Sequence, residues 1–304
     1  MKAAVYTKTK AGKILQILDV NTPAPRDNEV LIKVRAASLN PLDWRLKSRR
    51  PGVDVAGEAV AVGKRVTQFK AGDAVLGTCR GALAEFACAS EAALVLKPDN
   101  LTFEQAACVP VAGLTALQGL RDRGNLQPGQ NVLINGASGG VGTFAVQIGK
   151  SLGAEVTAVC STRNVEMVRS LGADLVLDYT QKDFTNGGRH YDLLLDNVGN
   201  RRLSALRRVM TPRGRCVMVG APKELWAVIT RVLKALAWSP FLRQKFTFFV
   251  AKLKKDDLAA LCELMKSGKV IPMIDKRYRL SGTAEGIAYV EQGHARAKVV
   301  VSFE

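Results

Sequence analysis

The sequence has few of the residues that bind metal ions in structural sites. It contains only two histidines, His190 and His294, and its six cysteines are scattered, with no pair separated by two residues. A structural zinc site needs four closely spaced thiolate or imidazole ligands. We therefore expect no metal site, and we interpret the cysteines as small hydrophobic residues of the core.

Long apolar stretches are also missing. No run of about 18 uninterrupted apolar residues occurs, so the sequence predicts no membrane span. The N-terminal residues have neither the apolar core of a signal peptide nor the Arg- and Ser-rich composition of a transit peptide. These features favour a soluble, cytoplasmic protein.

Acidic residues are scarce relative to basic ones: 27 Asp and Glu stand against 44 Lys and Arg, for a formal net charge of +17. The basic residues are dispersed, and no aromatic-interleaved basic strand of the RNA-binding type accompanies them. We interpret them as a solvated positive surface and expect no nucleic-acid partner. Binding of nucleic acid would show itself by a steep salt dependence.

The order of strand-like and helical patterns predicts an α/β protein of two domains. The N-terminal third is rich in strand composition, for example at residues 29–35 and 53–62, with Gly- and Pro-bearing turns between. From Asn131 onward, short apolar strands alternate with helices, which is typical of a doubly wound parallel sheet. We expect a β-rich domain formed by residues 1–116 and 268–304, and a doubly wound domain formed by residues 117–267.

A glycine-rich turn, Gly-Ala-Ser-Gly-Gly-Val-Gly at 136–142, lies between a predicted strand at 132–134 and a predicted helix at 141–152. Glycines there allow a tight turn, the approach of a pyrophosphate and close packing of the helix on the strand. The amide groups and dipole of the helix N-terminus would face the phosphates. This context predicts a dinucleotide site, and a purely structural turn is the alternative.

The second strand of this unit indicates which dinucleotide binds. In an NAD site an acidic residue near the end of that strand binds the ribose hydroxyls. Here the strand at 156–160 is followed by Ser161, Thr162 and Arg163, and Glu155 lies at the wrong end. A hydroxyl-rich turn with an arginine suits a 2′-phosphate and favours NADPH. Alternatively, Ser161 and Thr162 only cap a helix that starts near Asn164.

An ordered set of motifs covers nearly the whole chain and resembles a known family. The motifs are Asn-Pro-Leu-Asp-Trp at 40–44, Pro-Gly-Val-Asp-Val-Ala-Gly at 51–57, Gly-Ala-Leu-Ala-Glu-Phe at 81–86, Ala-Gly-Leu-Thr-Ala at 112–116, the glycine turn, Asp-Asn-Val-Gly at 196–199 and Gly-His-Ala-Arg at 293–296. They are similar to the zinc-independent quinone oxidoreductases of the medium-chain dehydrogenase/reductase superfamily. Within it they resemble the branch that contains the chloroplast envelope quinone oxidoreductase homologue and the mitochondrial reticulon-4-interacting protein.

The resemblance implies a GroES-like β-rich catalytic domain and a Rossmann domain. It implies NADPH as hydride donor and a quinone or an α,β-unsaturated carbonyl compound as the small-molecule acceptor. It is compatible with a monomer or a homodimer. The rival class is a non-catalytic NADPH-binding sensor or structural protein on the same scaffold, which would not turn NADPH over with a quinone.

The resemblance also implies which residues form the site. Asn40, Asp43 and Thr115 would border the nicotinamide ring and the substrate. The implied cofactor contacts are Ser138, Gly139, Gly140, Val141, Ser161, Arg163, Tyr179, Asn197, Val198, Gly199, Gly220, Ala221, Phe248, Phe249 and Lys298.

Several of these residues keep two interpretations. Asn40 either donates an amide N–H to the substrate oxygen or hydrogen-bonds the loop before Pro41. Asp43 could orient a neighbouring group or deliver a proton, or it is a structural turn residue. Tyr179 either donates to the phosphate or packs at the sheet edge.

Two positions differ from the zinc-dependent relatives. The resemblance places Asn40 where those relatives have a cysteine, and Gly-Val-Asp at 52–54 where they have Gly-His-Glu. Both differences remove metal ligands. Without a Lewis acid a plain ketone lacks its usual polarising group, whereas a quinone or enone needs less help. The loop between the 40–43 motif and Pro51 is also shorter than the family pattern.

The segment 222–255 has apolar residues at spacings of three to four, which predicts an amphipathic helix. We expect this helix to cover the cofactor. A weak peripheral contact with a membrane is the alternative.

Overall fold

The computed structural model describes residues 1–10, 12–219 and 243–303. The chain divides into unit 1, Met1–Leu114 with Leu253–Glu304, and unit 2, Thr115–Lys252. The sequence places the domain boundaries at 116/117 and 267/268. The second boundary differs most, because the helix Lys255–Lys266 packs in unit 1, where the Asn100 amide donates to the Met265 carbonyl at 3.0 Å.

The strands and helices of the described residues are numbered here in chain order. The strands are β1 Lys2–Thr9, β2 Gly12–Asp19, β3 Glu29–Leu39, β4 Asp54–Val62, β5 Ala74–Thr78, β6 Phe86–Ser90, β7 Leu94–Leu96, β8 Asn131–Asn135, β9 Glu155–Cys160, β10 Leu175–Asp178, β11 Tyr191–Asp196, β12 Met210–Met218, β13 Lys245–Phe248, β14 Ile274–Arg279 and β15 Lys298–Ser302. The α-helices are α1 Pro41–Leu46, α2 Phe103–Ala107, α3 Pro110–Gln118, α4 Gly140–Ser151, α5 Val165–Ser170, α6 Leu203–Arg208, α7 Lys255–Lys266 and α8 Thr283–Glu291.

Unit 1 is built on a mainly antiparallel sheet with the strand order β14-β15-β3-β4-β5-β7, and β6 pairs with β3. In β3 the side chains of Val30, Ile32 and Val34 are buried, whereas Lys33 is exposed. Because side chains alternate between the faces of a strand, this pattern directs one face into the core. The strand predicted at 29–35 is confirmed and continues to Leu39. β1 and β2 form a separate antiparallel pair.

Unit 2 contains a six-stranded parallel sheet with the order β10-β9-β8-β11-β12-β13. Val132, Leu133 and Ile134 of β8 are all fully buried, as expected for a central strand of such a sheet. The strand order reverses between β8 and β11, so the ends of these strands lie side by side. This is the doubly wound order, and its reversal point is where such folds bind nucleotides. The α/β fold prediction is therefore confirmed.

The apolar residues that predict an amphipathic helix within 222–255 lie at 226–238, outside the described residues, and the described remainder of the segment does not extend such a helix. Lys245–Phe248 is strand β13, because it pairs in parallel with Arg215 to Met218 of β12. Residues 220–242 lie outside the described residues, and they include the predicted cofactor residues Gly220 and Ala221. Among the described residues, no helix has the length and apolarity needed to cross a membrane.

Candidate functional site

The glycine turn follows β8 and leads into α4. Gly136 has a φ of +77°, and a Cβ there would lie 2.6 Å from a methyl carbon of Val198. A Cβ on Gly142 would collide with the Gly136 carbonyl oxygen and lie 2.6 Å from backbone atoms of Ala137. At Gly139, the N-cap of α4, the nearest atom to such a Cβ is the Gly136 oxygen at 3.5 Å. Packing within the fold therefore requires glycine at 136 and 142, whereas Gly139 leaves open space at the helix N-terminus.

A buried carboxylate joins the ends of β8 and β11. Asp196 is fully buried, and its Oδ1 accepts hydrogen bonds from Asn135 Nδ2 at 2.8 Å and the Gly199 amide at 2.9 Å. The Val198 amide lies 3.3 Å from the same oxygen. These bonds hold residues 197–199 beside the glycine turn, which agrees with the proximity of Val198 to Gly136.

The side chain of Asn197, directly after β11, has buried polar atoms without hydrogen-bond partners among the described residues. Both Nδ2 and Oδ1 of its side chain are buried, and neither has a hydrogen-bond partner among the described residues. Most buried side-chain polar atoms in proteins are hydrogen-bonded to protein or water. An amide that offers a donor and an acceptor at the nucleotide-binding end of the sheet fits a polar group of a dinucleotide. The contact of residues 197–199 with a cofactor stays a prediction.

The end of β9 is connected to the glycine turn by Asn164. Its Nδ2 lies 3.1 Å from the hydroxyls of both Ser138 and Ser161, and its side chain is buried. Its Oδ1 is buried without a hydrogen-bond partner in the described part of the chain. Sequence reasoning treated Asn164 only as the start of a helix. Its central position between two predicted site residues was not visible in the motif.

Arg163 and Tyr179 follow the carboxyl ends of two neighbouring strands, β9 and β10. Arg163 is exposed, and the Tyr179 side chain is 49% exposed. The Tyr179 amide donates to the carbonyl of Cys160, the last residue of β9, at 3.0 Å. The neighbouring Asp178 was missed by sequence reasoning. Its carboxylate accepts from the Thr162 hydroxyl at 2.5 Å and from Thr180, and these hydrogen bonds lower its pKa.

The last two described cofactor candidates of unit 2, Phe248 and Phe249, lie at the end of the edge strand β13. Phe248 pairs with Met218, and the Phe249 amide donates to the Met218 carbonyl at 3.4 Å. A Cβ on Gly119 would lie 3.4 Å from the Phe249 ring. The nearest atom to this Cβ would be a methyl carbon of Leu195 at 3.1 Å, so Gly119 lies close to both side chains.

In unit 1, Asn40 lies in a buried hydrogen-bond network. Its Nδ2 donates to Asp54 Oδ2 at 2.8 Å and to the Ser38 carbonyl at 3.3 Å, and its Oδ1 accepts from Lys298 Nζ at 2.8 Å. An asparagine amide has two N–H donors. Both are used within the protein, so this arrangement favours the structural interpretation of Asn40 over donation to a substrate oxygen.

Asp54 is the centre of this network, and sequence reasoning considered it only as a lost metal ligand. It is fully buried and accepts from the Ser38 hydroxyl at 2.7 Å and the Val111 amide at 3.0 Å. Lys298 Nζ lies 3.4 Å from its Oδ2, in an ion pair that is almost completely buried. Lys298, predicted as a cofactor contact, is thus part of a network in unit 1 together with Asn40.

Asp43 joins the two ends of the short loop in unit 1. Its Oδ2 accepts from the Asn40 amide at 2.7 Å, and its Oδ1 accepts from the Gly52 amide at 2.8 Å. Burial raises the pKa of this carboxyl to about 6, although the two backbone hydrogen bonds act in the opposite direction. A protonatable group with this pKa is held close to Asn40.

The structure therefore divides the predicted site residues between the units. Asn40, Asp43 and Lys298 lie together in unit 1, and the other described candidates belong to unit 2. Thr115 is a buried residue of α3. Within the described residues, no group of three or more His, Cys, Asp or Glu side chains is arranged to hold a metal ion.

Comparison with known proteins gives consistent matches along the chain. The family descriptions "Alcohol dehydrogenase GroES-like domain" and "Zinc-binding dehydrogenase" match residues 26–99 and 171–301. The chloroplast envelope quinone oxidoreductase homolog of Arabidopsis thaliana is 36% identical, over 99% of this chain and 98% of its own. The chloroplastic NADPH-dependent alkenal/one oxidoreductase of the same plant is 33% identical, over 99% of this chain and 79% of its own.

A solved structure supports the same assignment. The quinone oxidoreductase from Coxiella burnetii superimposes with a TM-score of 0.86 at 28% identity, covering 100% of this chain and 99% of the other. The sequence matches and this fold match extend over both units. The chain belongs to the medium-chain dehydrogenase/reductase superfamily, in its quinone oxidoreductase branch.

Proposed function

We propose that this protein is an NADPH-dependent oxidoreductase that transfers hydride to quinones or α,β-unsaturated carbonyl compounds without zinc. The observation that carries the proposal is the reversal point of the unit 2 sheet. There the ends of β8 and β11 are flanked by Gly139, which leaves open space, and by the Asn197 side-chain amide, which has no hydrogen-bond partner among the described residues. Relatives named for quinone and alkenal reduction support the acceptor class.

The residues of unit 2 fit a dinucleotide. The first amides of α4 and the open space at Gly139 suit a pyrophosphate, because helix N-termini favour anions. The Asn197 amide can satisfy its donor and acceptor on a polar group of the cofactor. When bound, the nicotinamide supplies the hydride, and the protein's contribution is to hold and orient it.

The choice of NADPH over NADH rests on the end of β9. No carboxylate follows that strand directly, and the nearby carboxylate of Asp178 accepts hydrogen bonds from Thr162 and Thr180. Arg163 is exposed at this edge and has the planar, charged donor group that suits phosphate. A hydrogen bond to a charged group contributes roughly 1.5–3 kcal/mol, and less where solvent screens it. We expect Arg163 to favour NADPH by about tenfold.

Fluorescence titration of NADPH and NADH against the parent and Arg163→Ala tests this choice. NADPH affinity should fall about tenfold in the variant, and NADH affinity should not change. Arg169→Ala is the matched control, because Arg169 is another exposed arginine of unit 2 and lies on α5, where it forms an ion pair with Glu166. Equal losses for both cofactors in Arg163→Ala, or equal affinities in the parent, would contradict the assignment.

The zinc-independent part of the proposal is supported by the chemistry of the unit 1 network. At the positions that resemble ligand positions of zinc-dependent relatives, Asn40 and Asp54 are hydrogen-bonded to each other and contact the Lys298 ammonium. A second cation there would face the charge of Lys298, so the residues present do not fit a zinc ion. A quinone or enone accepts hydride to give a delocalised anion and therefore depends less on a Lewis acid.

The experiment is an acceptor panel followed by the loss of NADPH absorbance. Quinones and enones should be reduced faster than saturated aldehydes, and enone products should be reduced at the carbon–carbon double bond. Treatment with EDTA should leave these rates unchanged. Absence of turnover with every acceptor would favour the non-catalytic sensor, and loss of activity with EDTA that zinc restores would overturn the metal-free proposal.

A further inference from the structure

A basic surface of unit 1 lies outside the candidate site. We define this basic surface as residues 8–10 and 12–14 of the β1–β2 pair together with residues 42 and 45–50 at the end of α1. The two parts are hydrogen-bonded to each other, because Lys13 Nζ donates to the Lys47 carbonyl at 2.8 Å. Nearby, the Tyr6 amide of β1 donates to the Arg49 carbonyl at 2.9 Å. The short loop at residues 45–50 and the β1–β2 pair therefore form one continuous surface.

The charge on this basic surface is of one sign. It carries Lys8, Lys10, Lys13, Arg45, Lys47, Arg49 and Arg50, all of them exposed. Neither residues 1–18 nor residues 44–53 contain an Asp or Glu. In the described part of the chain Lys47, Arg49 and Arg50 form no ion pair, whereas exposed cations elsewhere in this unit do, such as Lys70 with Asp73. Within the described residues, the charges of these three side chains are therefore not balanced by an ion pair.

Apolar side chains protrude among these cations. Leu46 is 67% exposed between Arg45 and Lys47, and Leu42, one helical turn earlier on α1, is 42% exposed. Ile14, beside Lys13 on β2, is also 42% exposed. Cations attract anionic headgroups, and the insertion of exposed leucines into the headgroup–acyl boundary lowers the free energy of the system. A nucleic-acid surface would use the cations but not the leucines.

We propose that the basic surface binds the anionic surface of a phospholipid bilayer. This inference is independent of the proposed function, because none of these residues belongs to the candidate site. It also differs from the membrane contact predicted for the segment 222–255. Each cation near an anionic membrane strengthens binding by about fivefold. Removal of three cations should therefore weaken binding by about 100-fold.

The test measures co-sedimentation of the full chain with vesicles of phosphatidylcholine that contain about 30% phosphatidylglycerol, an anionic lipid of the kind such surfaces recognise. The charge variant is Lys47→Gln/Arg49→Gln/Arg50→Gln. Glutamine keeps the Cβ, Cγ and Cδ atoms with which Arg50 lies over Gly81. The matched control, Arg207→Gln/Arg208→Gln/Arg213→Gln, removes three exposed cations from unit 2.

The apolar contribution is tested by Leu46→Ser, with Leu96→Ser as control, because Leu96 of β7 is 58% exposed but lies outside the basic surface. We expect a loss of about tenfold for Leu46→Ser and little change for its control. Thermal unfolding of each variant reports whether the fold is retained, and a misfolded triple variant would be replaced by its single substitutions.

Several results would overturn the proposal. These are no binding of the parent to the anionic vesicles, equal binding to pure phosphatidylcholine, and equal losses in the charge variant and its control. Tighter binding to a DNA duplex than to vesicles, with no effect of Leu46→Ser, would assign the surface to nucleic acid instead. Selective losses in both the charge variant and Leu46→Ser would support the bilayer.

Discussion

The buried carboxyl of Asp43 should give unit 1 an unusual dependence of stability on pH. Burial raises its pKa from 3.8 to about 6 in the folded protein. The folded state therefore binds this proton more tightly than the unfolded state does. Between about pH 4 and pH 6 the folded state holds more protons, so the free energy of unfolding falls as the pH rises through this window.

The magnitude follows from the same pKa. The difference between 3.8 and about 6 corresponds to about 3 kcal/mol of stability. This contribution is present below about pH 4 and is lost above about pH 6. Asp43→Asn cannot titrate, and it keeps one acceptor for the Asn40 and Gly52 amides. Relative to this variant, the parent should lose about 3 kcal/mol between pH 4 and pH 7.

Urea unfolding of both proteins at several pH values, followed by circular dichroism, measures this difference. Titration of all other groups is common to the two proteins and cancels in the comparison. Asp73→Asn is a control of opposite sign, because hydrogen bonds from the Lys70 amide and ammonium lower the pKa of Asp73. The parent protein should gain stability relative to Asp73→Asn as the pH rises. A stability difference between parent and Asp43→Asn that stays constant with pH would refute the reasoning.

Further substitutions test the buried network of unit 1, the glycine turn and the link made by Asn164. Lys298→Met leaves the buried carboxylate of Asp54 without its counter-charge and should destabilise the protein by about 3–5 kcal/mol, measured by urea unfolding. The double variant Lys298→Met/Asp54→Leu should recover part of this loss. No recovery would show that the unpaired charge is not the cause. Gly142→Ala should lower the melting temperature, because the Cβ of the alanine collides with backbone atoms. Gly139→Ala should leave the melting temperature unchanged and weaken NADPH binding. The reverse pattern would show that the roles of the two glycines are assigned wrongly. Asn164→Ala removes the link between Ser138 and Ser161 and should raise the dissociation constant of NADPH about tenfold; an unchanged constant would show that the link does not position the cofactor.

The fold could be predicted from the sequence where the signal is local. The alternation of Val30, Ile32 and Val34 in β3 depends only on which residues face the core. The same holds for α4, Gly140–Ser151, which forms where the sequence predicts a helix at 141–152. The helix predicted within 222–255 rests on apolar residues at 226–238, which lie outside the described residues, so it stays a prediction there. Strand β13 has only four residues, and its pairing with β12, which no local pattern shows, makes it a strand.

The polar network of unit 1 could not be predicted in the same way. Asp54 and Lys298 are separated by 244 residues, and only the pairing of β15 with β3 and of β3 with β4 brings them together. In unit 2, Asn164 reaches Ser138 across 26 residues because β8 and β9 are neighbours in the sheet. Local patterns identified the strands, but the partners of these side chains depend on sheet order and register.

A side chain whose polar atoms already have hydrogen-bond partners within its unit is less able to bind a ligand than one whose polar atoms have none. Asp54 and Asp196 are both fully buried, and each accepts several hydrogen bonds from separate chain segments, so each organises its surroundings. The Lys298 ammonium lies within hydrogen-bond distance of three protein oxygens, and both donors of Asn40 are used. A ligand would have to break these bonds to recruit either side chain. Asn197 can bind a ligand at no such cost, since its buried amide has no partner among the described residues.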